Sequence, residues 1–369
     1  MSQQVYAIGV GLHPATRKET RFRLEELVFR TARQALESAQ ISRRQLDNLV
    51  IGACDELDGR PISSMLMAAP AGGYLRDEIK VTDSGATALC LAYARIRSGE
   101  FQAAMVSSWC KSSKTDADAV FRLRGDPFFM RPLGMDNVTA DALFAQAVAA
   151  ELGITDAEVA TRIERRSRQA TANPRGLQAP VRTAGEIAKS PYRATPLREG
   201  HVPELSDGAV SIVLCSQAFL DANPQVKPLA RITGVGWSSD SYRLDATRLR
   251  SMKSARAAWA MAMNQAGITE ASALDVIELE APTGWHEAAY VRAFGIEDDA
   301  AVSPSGGQYA QNPLFCSGMV NAAEAILQVA GQAGAVQVPA ARRSAAHSCN
   351  GYAQQGNVVA IFEAVEAGI

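Results

Sequence analysis

The polar turn Thr82–Ser84 leads at Gly85 into an apolar, alanine-rich run. Four apolar residues of this run recur three or four positions apart, which predicts a helix with one buried face: Leu89, Ala92, Tyr93 and Ile96. A turn that enters a buried helix holds its hydroxyl and backbone N–H groups at the helix N-terminus, where a nucleophile or an anion is stabilised. Thr82 and Ser84 are therefore candidate nucleophiles. The alternative is that the two hydroxyls only cap the helix.

Thiol and metal chemistry are limited by where the cysteines stand. The six cysteines are scattered over positions 54, 90, 110, 215, 316 and 349 and form no Cys-x-x-Cys pair. We therefore expect no metal site and reduced thiols, as in cytosolic proteins. Cys90 falls inside the predicted helix, where a buried, inert thiol is expected. With only four histidines, the chain offers few candidates for a histidine general base.

Length and composition exclude several classes of protein. A chain of 369 residues is too long for one ordinary core, so two domains or two fused halves are expected. The net charge of −2 gives no reason to expect nucleic acid or an anionic membrane as partner. The N-terminal residues do not resemble a signal peptide, and no apolar run reaches the length of about 18 residues that a membrane span needs. These features predict a cytoplasmic protein.

The elements that must position these residues follow one order twice. In the first copy the predicted strands and helices are Val5–Gly11, Phe22–Ala39, Leu46–Gly52, the turn and helix described above, Ala103–Ser108 and Leu205–Cys215. In the second copy the matching segments are Leu229–Gly236, Ser254–Ala266, Leu274–Glu280, the loop Ser303–Gly307 with the helix Gly318–Gly331, and Asn357–Phe362. Strands that alternate with helices predict α/β layers.

Two copies of one unit imply a pseudo-twofold molecule, with a site where the halves meet. We predict a first half over residues 1–225 and a second half over residues 226–369. Residues 110–200 are rich in Arg, Asp and Pro, carry predicted helices at 139–152 and 156–171, and are interpreted as an inserted cap. The alternative is a pair of unrelated α/β domains.

Four stretches carry a resemblance to a known family. Val81–Gly99 looks like a nucleophile turn and its buried helix, and Ser206-Asp-Gly-Ala209 looks like the SDGA entry to a strand. Ser303-Pro-Ser-Gly-Gly with Asn312-Pro-Leu-Phe-Cys-Ser-Gly318 is similar to an NPSGG…GHPxGxTG segment, and Ser348-Cys-Asn-Gly351 to a Cys-x-Gly turn. In this order and spacing the whole chain resembles the thiolase superfamily, especially its sterol-carrier-protein-type and archaeal members.

The resemblance implies a fold and a chemistry. Thiolases are αβαβα five-layer sandwiches that form dimers, and they make or break carbon–carbon bonds next to a thioester, usually of coenzyme A. That chemistry needs an acyl-accepting thiolate, an oxyanion hole and an acid/base for the α-carbon. The resemblance therefore implies an acyl-CoA substrate and no other bound cofactor.

The positions that carry this chemistry depart from the family pattern. Thr82 stands where the family has its nucleophilic cysteine, and a register slipped by two residues would put Ser84 there. A hydroxyl without an activating base is a far weaker nucleophile than a thiolate of low pKa. Glu280 stands where the family has Asn or His, and a buried carboxylate there is a candidate general base; the alternative is an ordinary charge at a strand end.

The last two motifs supply the other candidates. Asn312 matches a family histidine and retains an amide donor for an oxyanion. Cys349 matches the second cysteine of the family, which moves the α-proton; the alternative is a small buried residue in a glycine turn. Tyr309 and Tyr352 are further candidates, because thiolase-like lyases use tyrosines.

The departures leave three functions open. The first is carbon–carbon bond cleavage or formation on an acyl-CoA or carrier thioester without an acyl-cysteine, including retro-aldol cleavage of a β-hydroxyacyl-CoA. The second is a non-catalytic thiolase-like subunit of a hetero-oligomeric complex. The third is an acyltransferase or condensing enzyme that uses Ser84 or Thr82. As partners we expect a second copy, a thiolase homologue or a small zinc-ribbon/OB-fold protein.

Coenzyme A contacts are expected from two regions. The glycine loops of the second half contribute predicted binding residues, which are Ser305, Gly306, Gly307 and Gly351. Four cations of the cap region are candidates to meet the phosphates, with solvated surface charge as the alternative: Lys111, Arg122, Arg124 and Arg131.

Overall fold

The computed structural model describes residues 3–82, 84–297 and 301–365. Its strands are β1 (Val5–Leu12), β2 (Asn48–Gly52), β3 (Asp77–Val81), β4 (Ala103–Lys111), β5 (Tyr192–Ala194), β6 (Leu197–Arg198), β7 (Asp207–Ser216), β8 (Ala230–Ser239), β9 (Val276–Glu278), β10 (Arg343–Asn350) and β11 (Gly356–Glu363). Its α-helices are α1 (Leu24–Ala39), α2 (Asp55–Asp58), α3 (Ser64–Met67), α4 (Gly85–Arg97), α5 (Ala117–Arg124), α6 (Asn137–Leu152), α7 (Asp156–Ala172), α8 (Ala184–Lys189), α9 (Gln217–Ala222), α10 (Ala246–Ser251), α11 (Lys253–Ala266), α12 (Gly284–Ala293) and α13 (Ser317–Val329).

Nine strands form one mixed sheet in the order β3-β2-β4-β7-β1-β8-β11-β10-β9. The first five belong to the first repeat and the last four to the second. Where the first repeat has β3, the described residues of the second form a single parallel bridge between Ile277 and Val302. The antiparallel pairing of β1 with β8 joins the two repeats, and its register runs from Val5–Ile232 to Ala7–Ala230. The repeat predicted from the sequence is thus visible in the strand order.

The helices complete the layers. α1 covers the outer side of the first repeat against β1 and β7, and α11 covers the outer side of the second against β8 and β11. α4 and α13 lie between the repeats and contact each other and strands of both. The four apolar residues on the predicted face of α4 are buried, as expected. The α/β prediction is confirmed.

Paired glycines explain why the opening strand of each repeat has the same sequence pattern. A Cβ atom at Gly9 of β1 would collide with the carbonyl oxygen of Ala35 in α1, and one at the matching Gly234 of β8 would collide with that of Ala262 in α11. Each glycine therefore lets the outer helix rest directly on the strand. The matching contacts support an internal duplication over two unrelated domains.

The inserted cap lies between β4 and β7 and carries α5 to α8 with the short hairpin β5–β6. Its helices α6 and α7 pack against α10 and α12 of the second repeat. Their apolar residues share one buried cluster with α11, α12 and β11. The cap is thus inserted in one repeat and packed on the other, while the boundaries at residues 225 and 226 stay a prediction.

Among the described residues, no single helix combines the length and hydropathy of a membrane span; α6 and α7 reach them only as a pair, which bends by 113° at its break. Strand β9 is shorter than predicted, because it ends at Glu278. Glu280 therefore lies in the loop that follows the strand.

Candidate active site

A cavity of about 830 Å³ opens between the cap, the N-terminus of α4 and the loops of the second repeat. Its walls include polar side chains from all three regions, which are Ser84, Arg124, Asp141, Arg182, Glu280, Gln308, Asn312 and Cys349. Apolar and glycine contributions come from Phe121, Leu197, Val202, Leu314, Phe315, Gly351 and Tyr352. A cavity of this size suits an extended organic ligand.

Glu280 is the buried acid of this cavity. It is 7% exposed, and desolvation raises the pKa of its carboxyl to about 8, against the opposing effect of hydrogen bonds from Ser348 and the backbone N–H of Cys349. The Ser348 hydroxyl donates to Oε2 over 2.6 Å. A carboxyl that titrates near neutral pH is suited to acid/base catalysis.

Ser84 is joined to Glu280 through Ser348. The Oγ atoms of Ser84 and Ser348 lie 3.3 Å apart, so the three side chains form a continuous line of hydrogen bonds from the end of α4 to the carboxyl. Ser84 also caps α4 by accepting from the backbone N–H of Thr87 over 3.3 Å. The capping interpretation of Ser84 is therefore correct, and the hydroxyl is also linked through Ser348 to Glu280, the general base predicted from the sequence.

Small residues bring these segments together. A Cβ atom at Gly85 would lie 2.5 Å from Met319 Cγ, and one at Gly318 would lie 2.5 Å from the Cβ of Ser348. Any larger residue at either glycine would push α4 and α13 apart or displace Ser348. The two glycines therefore permit the short distance between Ser84 and Ser348.

Cys349 lines the cavity beside Glu280 but is not a thiolate. Burial, with the nearby Glu280 carboxyl adding to it, raises the pKa of the thiol well above its ordinary value. Its Sγ approaches the backbone carbonyl of Glu280 at 3.7 Å. A neutral thiol is a poor nucleophile. The other five cysteines are also buried and unpaired.

Asn312 presents an amide donor to the cavity. Its Oδ1 accepts from Gln308 Nε2 over 3.2 Å and from Ser317 Oγ over 3.3 Å. These donors orient the amide, and the Nδ2 group keeps only a long contact of 3.5 Å to the carbonyl of Pro203. An oriented, underused N–H₂ group at a cavity wall can bind an oxyanion.

Tyr352 closes the cavity against the cap. Its hydroxyl donates to the carbonyl of Phe121 in α5, and burial raises the pKa of its phenol. Gly351 precedes it with a φ of +69° and also lines the wall. Tyr352 thus positions the cap and reaches the cavity with its ring.

Five predicted site residues lie elsewhere. Thr82 is exposed, and its carbonyl accepts from Arg124 over 3.4 Å. The Tyr309 hydroxyl donates to the carbonyl of His201 over 3.0 Å. In the part of the chain that the structure describes, the cavity walls include none of the following: Thr82, Ser305, Gly306, Gly307 and Tyr309.

The glycine loop has a structural task instead. Ser305 donates from Oγ to Oε2 of Glu278 over 2.7 Å, and its carbonyl accepts from Asn173 over 3.0 Å. A Cβ atom at Gly306 would lie 2.7 Å from the Cβ of Ala170 in α7. The loop is therefore buried under the cap, because its backbone packs against α7.

The cations predicted to meet phosphates are mostly engaged. Lys111 is buried and donates to the carbonyls of Glu19 and Phe22. Arg131 donates to the carbonyls of Leu123 in α5 and of Gly125, and Arg122 faces Asp136 at 3.9 Å. Arg124 lines the cavity, where its guanidinium also contacts the Cys54 sulfur at 3.1 Å.

Asp141 and Ser348 are site residues that sequence reasoning missed. Asp141 comes from α6 of the cap, and Ser348 from the end of β10. No sequence motif distinguishes Asp141 from the other residues of the cap helices. Ser348 belongs to the Ser348-Cys-Asn-Gly351 motif, but only Cys349 and Gly351 of that motif were predicted as site residues. Within residues 3–82, 84–297 and 301–365, no three His, Cys, Asp or Glu side chains are grouped as metal ligands would be.

Comparison with known proteins gives a sequence relative over part of the chain. No protein-family model matches the sequence. A curated acetyl-CoA acetyltransferase of Methanothermobacter thermautotrophicus is 30% identical over 229 residues, which cover 57% of this chain and 59% of that protein. The match thus spans less than two thirds of the relative's length.

Solved structures match the fold over almost the whole chain. Human mitochondrial 3-ketoacyl-CoA thiolase in complex with CoA superposes with a TM-score of 0.79 and 15% identity, covering 99% of this chain and 98% of that one. The Ltp2–ChsH2(DUF35) aldolase superposes with a TM-score of 0.80 and 16% identity, covering 98% of each. At such identities these likenesses show the fold alone. Together with the partial sequence match to an acetyl-CoA acetyltransferase, they show that the chain has the thiolase fold.

Proposed function

We propose that this chain is an enzyme that breaks or forms a carbon–carbon bond next to an acyl thioester, without an acyl-cysteine intermediate. The observation that carries the proposal is Glu280, a buried carboxyl with a pKa of about 8 in the wall of a cavity that offers no thiolate. Coenzyme A enters as part of the substrate. The retro-aldol cleavage of a β-hydroxyacyl thioester is the reaction that fits these groups best.

Glu280 is the general base in this reaction. Its carboxylate takes the proton of the β-hydroxyl, the oxygen forms a C=O bond, and the bond between the α- and β-carbons breaks. The electron pair moves into the thioester as an enolate, and a proton then reaches the α-carbon. The products are a ketone or aldehyde and a shortened acyl thioester, so atoms and charge balance.

Asn312 stabilises the enolate. Its Nδ2 group is oriented by the two donors on Oδ1 and has a free N–H to offer. The charge that develops on the thioester oxygen is the charge that such a donor stabilises.

An acyl-enzyme fits this cavity less well. The turn that precedes α4 holds Ser84, and the pKa of the Cys349 thiol lies well above its ordinary value. A serine nucleophile would have to pass its proton through Ser348 before it reached Glu280. The same hydroxyls serve a base-catalysed cleavage directly, because they extend the hydrogen-bond line of Glu280 toward the substrate.

We also propose that the chain forms a dimer, with a second copy or a thiolase homologue, through the edge of the sheet at β3. Several apolar side chains near this edge are exposed, which are Ile62, Met65, Tyr74, Leu75 and Ile79. An exposed sheet edge with apolar neighbours is a typical contact between chains. Ile79→Lys should give a smaller species in sedimentation; a small zinc-ribbon/OB-fold partner is the alternative that co-purification would reveal.

The proposed reaction is tested with Glu280→Gln. We expect wild-type protein to release acetyl-CoA and a carbonyl compound from β-hydroxyacyl-CoA substrates. The turnover rate of the variant should be lower by a factor of about 100 or more. Unchanged turnover in the variant would overturn the role of Glu280. An acyl adduct on Ser84, seen by intact-protein mass spectrometry and lost in Ser84→Ala, would favour the acyltransferase. Absence of turnover with every partner would favour a non-catalytic subunit.

A further inference from the structure

A second carboxyl reaches the same cavity from the cap. Asp141 stands on α6, lines the cavity wall, and has a side chain that is 14% exposed. Behind it lies His286 of α12, which is fully buried and whose Nε2 is 3.6 Å from Oδ1 of Asp141. This Nε2 has no hydrogen-bond partner among the described residues. A buried, unpartnered ring nitrogen that faces a cavity carboxyl calls for an explanation.

The pair is built by the spacing of α6 and by the turn before α12. Phe144 follows Asp141 by three positions, so both lie on one face of the helix. The Phe144 ring stacks on the His286 ring with centroids 4.2 Å apart and planes within 16°. Thr283 holds the other ring nitrogen, with Oγ1 and Nδ1 3.0 Å apart. The imidazole is thereby fixed with Nε2 toward Asp141.

The charged groups around Asp141 keep the pair neutral. Burial, and then the Asp136 carboxylate, raise the pKa of Asp141 to about 8, while Arg193 of β5 opposes them weakly. Burial, with His347 of β10 behind it, lowers the pKa of His286 to about 3. On α12 and β10, Tyr290 and Cys349 also face this space and are protonated, since burial raises both of their pKa values.

A neutral acid and a neutral base thus face each other, with Oδ1 of Asp141 and Nε2 of His286 3.6 Å apart. With its proton on Nδ1, toward Thr283, His286 offers the Nε2 lone pair to the protonated carboxyl of Asp141. Packing positions both groups: α6 holds the Asp141 carboxyl, and the Phe144 ring holds the His286 ring. Asp141 can then release the proton into the cavity, while the packing of α6 on the fixed imidazole keeps the carboxyl in place.

We propose that Asp141 is the second catalytic acid/base of the cavity and delivers the proton to the α-carbon of the substrate, with His286 as its positioning residue. The inference rests on the proposed carbon–carbon cleavage. Glu280 receives the hydroxyl proton, the α–β bond breaks, and the enolate carbon takes its proton from Asp141. One proton is bound and one released per cleavage, and exchange with solvent restores both carboxyls.

Proton exchange separates the two carboxyls. In deuterated buffer, wild-type protein should exchange the methyl protons of acetyl-CoA, because that step needs only the base at the α-carbon. We expect Asp141→Asn to lower this exchange about 100-fold, while Glu280→Gln retains it. Asp221→Asn is the matched control, because Asp221 of α9 is exposed and lies outside the cavity walls; it should exchange as wild type does.

Three outcomes would overturn the proposal or its basis. Exchange that survives Asp141→Asn, or that is lost only in Glu280→Gln, would overturn the assignment of Asp141. Cleavage that does not depend on Glu280 would overturn the proposed function. The role of Asp141 would then be decided by the exchange experiment, which does not require cleavage. The infrared spectrum gives a readout without turnover: at pH 7 the protonated-carboxyl absorption of wild type, to which Glu280 also contributes, should decrease in Asp141→Asn. If the two spectra are the same at pH 7, Asp141 is ionised and cannot be the acid.

Discussion

Ser348 donates a hydrogen bond of 2.6 Å to Glu280, and the same hydroxyl lies 3.3 Å from Ser84. Ser348 follows Glu280 by 68 positions and Ser84 by 264. This hydrogen bond stabilises the ionised form of Glu280, because a donor favours the charged carboxylate. Ser348 is therefore the side chain that connects the helix cap of the first repeat with the acid of the second.

Replacing Ser348 should shift the pH dependence of activity. Ser348→Ala removes the donor, so the pKa of Glu280 should rise above about 8. At pH 7 a smaller fraction of the base is then ionised, and we expect kcat/KM to fall about tenfold. The pH profile of kcat/KM measures this, with the acidic limb displaced to higher pH. Ser348→Thr keeps the hydroxyl and should remain close to wild type; an unshifted profile in Ser348→Ala would contradict the prediction.

Gly318→Ala tests the close contact between α13 and Ser348. The new methyl group would lie 2.5 Å from the Cβ of Ser348, so the hydroxyl must leave its position beside Glu280. We expect a loss of about 1–3 kcal/mol in the free energy of unfolding and a fall in kcat. Gly185→Ala is the control, because nothing lies within 4 Å of the Cβ that it would add. Equal activity in both variants would show that the contact is not needed.

Stability should depend on pH through Glu280. Its pKa in the folded protein is about 8, above the ordinary value of 4.5. Between these values the folded chain keeps a proton that the unfolded chain has lost, so the free energy of unfolding falls as pH rises from about 4.5 to about 8. Glu280→Gln removes this cost and should be more stable than wild type at pH 8, by on the order of 2–4 kcal/mol.

The same difference should vanish at pH 4, where the glutamate is protonated in both states. Urea unfolding at the two pH values measures it. Glu37→Gln is a suitable control, because Glu37 is 61% exposed and pairs only with Arg33 on the same helix; surface pairs of this kind contribute little. A stability gain that is equal at pH 4 and pH 8 would contradict the assigned pKa.

Asn312→Ala should reduce the stabilisation of the transition state more than it reduces the affinity for the substrate. In the proposed reaction the amide donates to the oxygen that gains charge, so we expect kcat to fall about 100-fold with little change in KM. Steady-state kinetics with a β-hydroxyacyl-CoA measures both constants. Asn312→His, which places the family's residue at this position, retains a donor and should recover part of the rate. A change confined to KM would assign Asn312 to binding instead.

Several features of the fold followed from the sequence alone. The two-fold repeat, the glycines of β1 and β8 and the buried face of α4 are local patterns, and each reports which side of an element is covered. They are set by spacing within about ten residues. Glu280, Asn312 and Cys349 were found because they occupy motif positions near strand and helix ends, and all three line the cavity.

The remaining parts of the site depend on contacts between distant segments. Tyr309 was predicted as a site residue, but in the fold its hydroxyl donates to the carbonyl of His201. Thr82 is exposed, although it lies two positions before the buried Ser84. Asp141 gave no signal, because its partner His286 lies 145 positions away and only the docking of the cap on α12 brings them together. Spacing along the chain determines which face of an element is buried. Which side chains share a cavity, and how burial moves their pKa values, is decided only when the repeats and the cap close around it.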